Sequence, residues 1–288
     1  MKLSTCDYTF PLLTHESAIR LAAMMGFEGI DIGMMGNRSH LRPEYMSDNI
    51  KDIASKVKDM VSSVGIRVSD VFLIPWTDFE TMSVNHPDTA ERARSRDLFL
   101  KTLEFAKMLD SHSISTLPGI PWPEESFSAS FNRAIEELSW RGEIAAKAGI
   151  VFCVEPHIGS IIENPKDAVM LAESAPNVKL TLDYTHFIAK GLSEEQIEPL
   201  ARYAGHVHAR GANRHQLQAR VKDNSIDYNR LVDVLKENGY DGWIAIEYVW
   251  TEWQNCNRCD NVSETLLLKQ WIEAKLHGEQ WVYPESTI

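Results

Sequence analysis

The sequence predicts an α/β protein, a single (β/α)8 TIM barrel that spans residues 1–288. Three observations support this fold: strand-like and helix-like segments alternate along the whole chain, they form eight pairs, and the length is close to the roughly 250 residues of a typical barrel. Strict alternation implies parallel strands joined by crossover helices. An open doubly wound sheet would carry a glycine-rich phosphate loop after its first strand, but residues 6–15 contain no glycine.

The predicted strands are short runs rich in apolar and β-branched residues, the pattern expected of strands that are buried on both faces. The fourth of these runs, SISTLPG, is the weakest signal. They cover residues 2–5, 29–32, 66–73, 113–119, 150–155, 178–183, 205–209 and 243–247.

The predicted helices carry apolar residues at helical spacing, and a glycine ends the first, second and fourth of them. Ser47 or Asp48 is the expected N-cap of the second helix, and Asn164, followed by Pro165, is that of the fifth. The helices cover residues 15–26, 47–65, 88–110, 126–149, 164–175, 193–204, 227–239 and 263–276.

Composition limits the classes of partner and compartment. An apolar share of 44% and a charged share of 24% are ordinary for a soluble globular protein. A formal charge of −12 argues against a nucleic-acid partner, because phosphate binding needs basic patches. No apolar stretch approaches the roughly 18 residues of a membrane span, and the N-terminus does not resemble a secretory signal. The four cysteines need no disulfide in a chain of this size, so we expect a cytoplasmic protein.

Four residues that can bind a cation stand at the ends of the last four predicted strands. The spacings between them are 28, 25 and 39 residues, each close to one βα unit, and the residues are Glu155, Asp183, His208 and Glu247. Adjacent strands lie about 4.8 Å apart, so these side chains can converge at the carboxyl face of the barrel. One acidic residue at a strand end is more often a helix cap or a solvated charge. Four in register favour a site for one divalent metal ion.

Several nearby residues are candidates for contacts in the same pocket. His186 follows Asp183 by three positions and is a metal ligand, a substrate contact or an ordinary loop histidine. His206 shares strand parity with His208 and is expected to lie deeper. Tyr8 and Trp122 follow the first and fourth strands, where aromatic faces can contact sugar C–H groups; a loop anchor or a subunit contact is an equal alternative for Trp122.

A resemblance to a known superfamily is carried by four segments: VEPH, LDYTH, GHVHARGANR and IDYNRLVDVLKENGYDGWIAIEY. They resemble the sugar phosphate isomerase/epimerase superfamily of xylose isomerase-like barrels, in particular ketose 3-epimerases and the isomerases and dehydratases of inositol catabolism. The resemblance is detailed in the C-terminal half and extends to the N-terminal half only as a βα pattern. It implies one divalent ion, with manganese as first choice over magnesium, cobalt or zinc. The implied ligands are Glu155, Asp183, His208 and Glu247.

The resemblance also implies substrate contacts, and at one position the chain departs from it. His186 would bind a substrate hydroxyl, and Arg214 would contact substrate oxygens. Ketose 3-epimerases carry a second Glu six residues after the first, where this chain has Ile161; Glu163 lies two residues further on. His157 could then supply another polar contact or an acid/base group, or be a plain loop histidine.

These residues predict an epimerase or isomerase that depends on a divalent metal and acts on a ketose or keto-polyol. The reaction would pass through an enediolate, with Glu155 and Glu247 as the acid/base pair. The alternative is a lyase, either a keto-inositol dehydratase or an enzyme that eliminates from 3-keto-glycosides, and Ile161 motivates it. An abasic-site endonuclease would need a basic face, and a sugar-binding barrel without catalysis is the remaining class.

Assembly is the last expectation from sequence. The protein is predicted to be a homo-oligomer, a dimer or tetramer. The aromatic C-terminal tail, about residues 277–288, would pack on a second subunit or on its own barrel. Cys256 and Cys259 form one C-x-x-C pair, which alone is weak evidence for metal or redox chemistry.

Overall fold

The computed structural model describes residues 1–45 and 49–284. Eight parallel strands follow one another around a closed barrel in chain order, and β8 pairs with β1 to close it. The predicted (β/α)8 fold is therefore confirmed. The strands are β1 (Lys2–Cys6), β2 (Gly29–Met35), β3 (Arg67–Ile74), β4 (Ser113–Thr116), β5 (Val151–Val154), β6 (Val178–Asp183), β7 (Ala204–Ala209) and β8 (Trp243–Ile246).

α-Helices connect the strands and form the outer layer. Their amphipathic faces bury aliphatic and aromatic side chains against the outside of the barrel, which is the main apolar core. The helices are α1 (His15–Met24), α2 (Ile50–Ser63), α3 (Thr89–Met108), α4 (Phe127–Lys147), α5 (Pro165–Ser174), α6 (Tyr184–Ala189), α7 (Glu194–Ile197), α8 (Tyr228–Glu237) and α9 (Asn261–His277).

Local sequence signals explain where most helices begin and end. The Asn164 side chain accepts the Asp167 N–H and Pro165 occupies the first turn of α5, as the sequence predicts. Gly26 and Gly149 take positive φ angles of 78° and 76° just beyond α1 and α4. The predicted caps of α2 lie outside the described residues.

Two predictions about helices were wrong. The predicted helix at 193–204 is the four-residue α7 followed by a 3₁₀-helix, Glu198–Tyr203, because Pro199 lacks the N–H that a continuing α-helix needs. No helix was predicted between β6 and residue 193, whereas the structure has α6, which begins directly at the strand end. This extra helix matters because it carries His186.

The barrel interior is polar as well as apolar. Asp31 on β2 contacts His206 on β7, and Ser115 on β4 hydrogen-bonds Thr181 on β6, so these side chains meet across the barrel rather than between neighbouring strands. All four are fully buried. Buried polar groups are stable when they are hydrogen-bonded to one another, which is the arrangement here.

The described part of the tail packs on the same chain. The Trp281 ring stacks on Trp271 of α9 with centroids 5.2 Å apart and planes 8° apart, and Trp271 contacts Tyr228 of α8 edge-on. Within residues 1–45 and 49–284, none of the helices combines the length and the apolar character that crossing a bilayer requires.

Candidate active site at the carboxyl ends of the strands

The four residues singled out from sequence all lie at the carboxyl face of the barrel. Glu155 follows β5, Asp183 ends β6, His208 lies near the end of β7 and Glu247 follows β8. Each is at most 5% exposed. Because parallel strands present their carboxyl ends on one face, chain positions 92 residues apart become neighbours here.

Glu155, His208 and Glu247 form a compact group, called here the central cluster. His208 Nδ1 lies 2.9 Å from Glu155 Oε1 and 3.5 Å from Glu247 Oε2. One donor atom from each of the three residues lies within 4.8 Å of the others. Among the described residues, Glu247 Oε2 has no hydrogen-bond donor. Two buried carboxylates and one imidazole, which offers a lone pair when a cation displaces its Nδ1 proton, form a donor set that fits a divalent cation.

Asp183 stands beside the central cluster rather than inside it. Its Oδ1 accepts the Thr185 N–H at 2.8 Å and so caps α6. Its Oδ2 accepts from Arg210 at 3.0 Å and lies 3.5 Å from His186 Nε2. The structure therefore brings Glu155, His208 and Glu247 together. It places the Arg210 guanidinium between Asp183 and Glu247.

The central cluster has a strong preference for an additional positive charge. Burial raises the pKa of Glu155 to about 7 against the opposing effect of His208, and the nearby Glu247 charge adds to the rise. Burial lowers the pKa of His208, but Glu247, Asp31 and Glu155 outweigh burial and hold that pKa well above its usual value. A proton or a metal ion can supply this charge, so the two compete for the site.

A buried carboxylate supports His208 from inside the barrel. Asp31 Oδ2 lies 3.4 Å from His208 Nε2 and 2.7 Å from His206 Nε2. Its other oxygen accepts hydrogen bonds from Ser4 and Ser69. A carboxylate behind an imidazole fixes the ring orientation and leaves the opposite nitrogen, here Nδ1, for the cluster. His206 lies deeper than His208, as predicted from parity.

Arg210 is the main site residue that the sequence reasoning missed. It is 3% exposed, and its guanidinium contacts Asp183, lies 3.3 Å from Glu247 Oε2 and donates to Thr185 Oγ1 at 3.2 Å. Burial lowers the pKa of Arg210, but the nearby charges, Glu247 and Asp183 first, outweigh burial and leave that pKa above its usual value. The guanidinium therefore stays charged. Strand parity could have revealed it, since Arg210 follows His208 by two positions and points to the same side.

Tyr8 lies where the sequence predicts a lining residue. Its Oη donates to Glu247 Oε1 at 3.1 Å. Its ring meets Phe72 edge-on at 6.4 Å between centroids, and Phe72 in turn lies 5.5 Å from the His208 ring. Two aromatic rings therefore separate the central cluster from water on the β1–β3 side.

His157 and His186 form the opposite wall. The His157 ring stacks on Trp253 at 5.0 Å and 17°, and it lies 4.2 Å from the His186 ring. Its Nδ1 is 2.6 Å from the Ile158 carbonyl, which can only accept, so Nδ1 carries the proton and Nε2 has the lone pair. Burial lowers the pKa of both histidines, which keeps them neutral near pH 7.

These residues line a narrow cavity of about 30 Å³, well below the volumes typical of small-molecule sites, so a sugar-sized substrate needs the surrounding side chains to move apart. Trp122 and Arg214 lie outside its lining. Trp122 donates from Nε1 to Asn85 and meets His86 edge-on, and Arg214 is exposed against Gly191. Substrate contacts by Trp122 and Arg214 stay predictions.

The family follows from comparison with known proteins. The family model described as xylose isomerase-like TIM barrel matches residues 19–272. The chain belongs to this family. The chain is 24% identical to an inosose dehydratase of Clostridium botulinum over 264 residues. The match covers 81% of this chain and 82% of that protein.

Solved xylose isomerase-like barrels share the fold of this chain. A D-psicose 3-epimerase in the presence of D-fructose superposes with a TM-score of 0.76 at 16% identity, covering 94% of this chain and 99% of that one. The IOLI protein with a bound zinc atom gives 0.70 at 16% identity, covering 96% and 97%. At these identities the likeness establishes the fold alone, and the family supports an enzyme that processes small carbohydrates.

Proposed function

We propose that this protein is a divalent-metal-dependent epimerase or isomerase of a ketose or keto-polyol. The observation that carries the proposal is the central cluster, in which His208 lies between two buried carboxylates, Glu155 and Glu247. Two carboxylates on either side of one site allow one to accept a proton and the other to return it. The reaction would pass through an enediolate.

The chain's own residues can perform each proton step. Glu155 or Glu247 removes the proton α to the substrate carbonyl, and the other carboxylate returns one. Return to the opposite face of the same carbon inverts a stereocentre, and return to the neighbouring carbon interconverts aldose and ketose. Tyr8 holds Glu247 in place through its hydroxyl, and the aromatic walls exclude bulk water from the exchanging proton.

The donor set favours a bound divalent cation, with manganese as first choice. Glu155, His208 and Glu247 would hold it, with Asp183 beside them at the strand ends. When bound, the cation polarises the substrate carbonyl and stabilises the negative charge that develops on its oxygen. Arg210 supplies a fixed second positive charge on the Asp183 side.

Solvent exchange tests the proposal directly. The manganese-loaded protein is incubated in deuterated water with a panel of ketoses and keto-inositols, and deuterium incorporation is followed by NMR. Deuterium in an inverted or isomerised sugar supports the proposal, and Glu155→Gln or Glu247→Gln should abolish it. Glu163→Gln is the matched control, because Glu163 is in the same loop as Glu155 but faces outward and pairs with Lys190. No exchange into any substrate of the panel would contradict the proposal.

A lyase is the second candidate, and one observation favours it. Ile161 is 2% exposed and sits where ketose 3-epimerases carry a substrate-binding Glu, while Glu163 is turned toward Lys190 and the Gly159 N–H. The lyase alternative acts on a different substrate, so the absence of that Glu does not count against it. In this case the same incubation would show net loss of water or of an aglycone. In either reaction, the lone pair on His157 Nε2 would serve as a proton acceptor.

Assembly and location stay predictions. A homo-oligomer, dimer or tetramer, is expected, and light scattering of the purified protein would measure its mass. The cytoplasmic location rests on sequence composition alone.

A further inference from the structure

A second arginine, Arg38, lines the cavity without a hydrogen-bond or ion-pair partner in the part of the chain that the structure describes. Arg38 lies on the wall formed with Tyr8, Met35 and Glu247. Across residues 1–45 and 49–284, its guanidinium forms neither a hydrogen bond nor an ion pair, whereas Arg210 contacts two carboxylates. Burial lowers the pKa of Arg38, and the nearby Glu247 charge offsets that effect only in part.

The backbone around Arg38 is held in a fixed turn just beyond β2. Ser39 Oγ accepts the Met35 N–H at 2.8 Å, and the Arg38 N–H donates to the Met35 carbonyl. Gly36 lets this turn pack on the end of β3, because a Cβ there would lie 2.4 Å from the Pro75 carbonyl oxygen. The guanidinium therefore extends over the cavity from a rigid anchor rather than from a mobile loop.

The other charges of the site would balance among themselves once the proposed metal ion is bound. Three carboxylates face this region: Glu155, Asp183 and Glu247. A divalent ion in place of the His208 proton would, together with Arg210, supply three positive charges against them. Asp31 is balanced separately, because it pairs with His206 inside the barrel. Arg38 then leaves one uncompensated positive charge on the cavity wall.

We infer that Arg38 binds a carboxylate of the substrate, which makes the substrate a keto sugar acid rather than a neutral ketose. This inference rests on the proposed function and narrows its substrate class. A guanidinium and a carboxylate form a bidentate pair whose geometry fixes the orientation of the rest of the molecule. The pair would orient the carbon chain toward Glu155 and Glu247.

A carboxylate fits this wall better than a phosphate. Phosphate sites usually add backbone N–H groups from a glycine-rich loop or a helix N-terminus, together with more than one cationic side chain. In the described part of the cavity lining, the cationic side chains are Arg38 and Arg210, and Arg210 already contacts Asp183 and Glu247. One uncompensated charge matches the single charge of a carboxylate.

Calorimetry with matched polyols tests the inference without needing turnover. The manganese-loaded protein is titrated with D-gluconate, with neutral D-glucitol and with D-glucitol 6-phosphate. In the wild-type protein, gluconate should bind at least about tenfold more tightly than glucitol, the value of one hydrogen-bonded charge pair. Arg38→Gln should remove this preference and Arg38→Lys should keep part of it. The matched control is Arg20→Gln, which deletes the same charge from the exposed face of α1.

Four outcomes of the titrations would overturn the inference. Equal binding of gluconate and glucitol, no gluconate binding by the wild-type protein, or an unchanged preference in Arg38→Gln would remove the role of Arg38. Tighter binding of the phosphate would replace the carboxylate. If neutral ketoses exchange protons with solvent at the same rate in the wild-type protein and in Arg38→Gln, the proposed function stands and this inference fails. If no substrate exchanges but the gluconate preference depends on Arg38, the proposed function fails alone.

Discussion

The two halves of the barrel contribute to the site in different ways. Strands β5–β8 carry every residue of the central cluster together with Asp183 and Arg210. Strands β1–β4 and their loops carry Tyr8, Asp31 and Arg38, which contact or surround that cluster. The second half thus supplies the groups proposed to bind the metal and to transfer protons. The first half supplies Tyr8 and Asp31, which orient those groups, and Arg38, which is proposed to bind the substrate carboxylate. Changes in each half should therefore affect different measured quantities.

The largest effect is expected from Glu247→Gln in the second half. Loss of a positioned acid/base group should lower the rate of solvent exchange by about 10³-fold. The rate is measured by deuterium incorporation, and circular dichroism checks that the fold is intact. Glu252→Gln, an exposed residue of the same loop, is the control and should leave the rate unchanged. A Glu247→Gln rate within tenfold of the wild type would contradict the assigned role.

Asp31→Asn should have the next largest effect, and on metal affinity rather than on chemistry alone. Removing the charge behind His208 loosens its orientation, and such changes typically weaken metal binding by about 10–100-fold. Manganese affinity is measured by calorimetry. Asp70→Asn is the control, because Asp70 is equally buried in the barrel but hydrogen-bonds Ser113 instead of contacting His208. Equal losses in both variants would mean that Asp31 acts only on stability.

Tyr8→Phe should have a smaller effect that is confined to turnover. It removes one hydrogen bond to a charged oxygen of Glu247, so kcat should fall about tenfold with little change in manganese affinity. Tyr203→Phe removes a similar hydroxyl–carboxylate contact on the exposed surface and should have no effect on kcat. Loss of metal binding in Tyr8→Phe would place Tyr8 in the metal site itself.

The smallest effect is a pH dependence of stability. The folded-state pKa values of Glu155 and His208 are raised, so their stabilising contribution is complete at low pH and is lost as the pH rises through those values. The metal-free protein should therefore unfold roughly 2 °C lower at pH 8 than at pH 7. Saturating manganese should reverse the trend, because protons compete with the ion, and Glu155→Gln should reduce it. A metal-free midpoint that rises over this range would contradict the shifted pKa values.

Sequence alone was sufficient for the fold and for the central cluster. Alternating apolar runs and helical periods depend on local spacing, and Glu155, His208 and Glu247 each stand at the end of such a run. Sequence was weaker where a contact depends on position across the barrel. Asp31 lies inside an apolar strand and its partner His206 is 175 residues away, so no local pattern marks it.

Asp183, the helix α6 and Trp122 also differ from the sequence prediction, and each difference has a local cause. The sequence position of Asp183 suits a metal ligand and a helix cap equally well. In the structure one of its oxygens caps α6 and the other accepts from Arg210. The helix α6 itself is only six residues long, which is too short for helical periodicity to reveal. Trp122 follows the correct strand, but the Asn85 side chain draws its indole N–H toward the rim.

The Asp31 contact with His206 and His208 has a consequence for how this barrel could be divided. A fragment containing only β5–β8 would carry all four predicted ligands. It would lack Asp31, which contacts His208 Nε2 and fixes the orientation of the imidazole ring. Because the Asp31 contact from β2 crosses the interior, we expect the imidazole to become oriented only after distant parts of the chain have come together. Half-barrel fragments should therefore recover tight metal binding only when both are mixed and refold as one body.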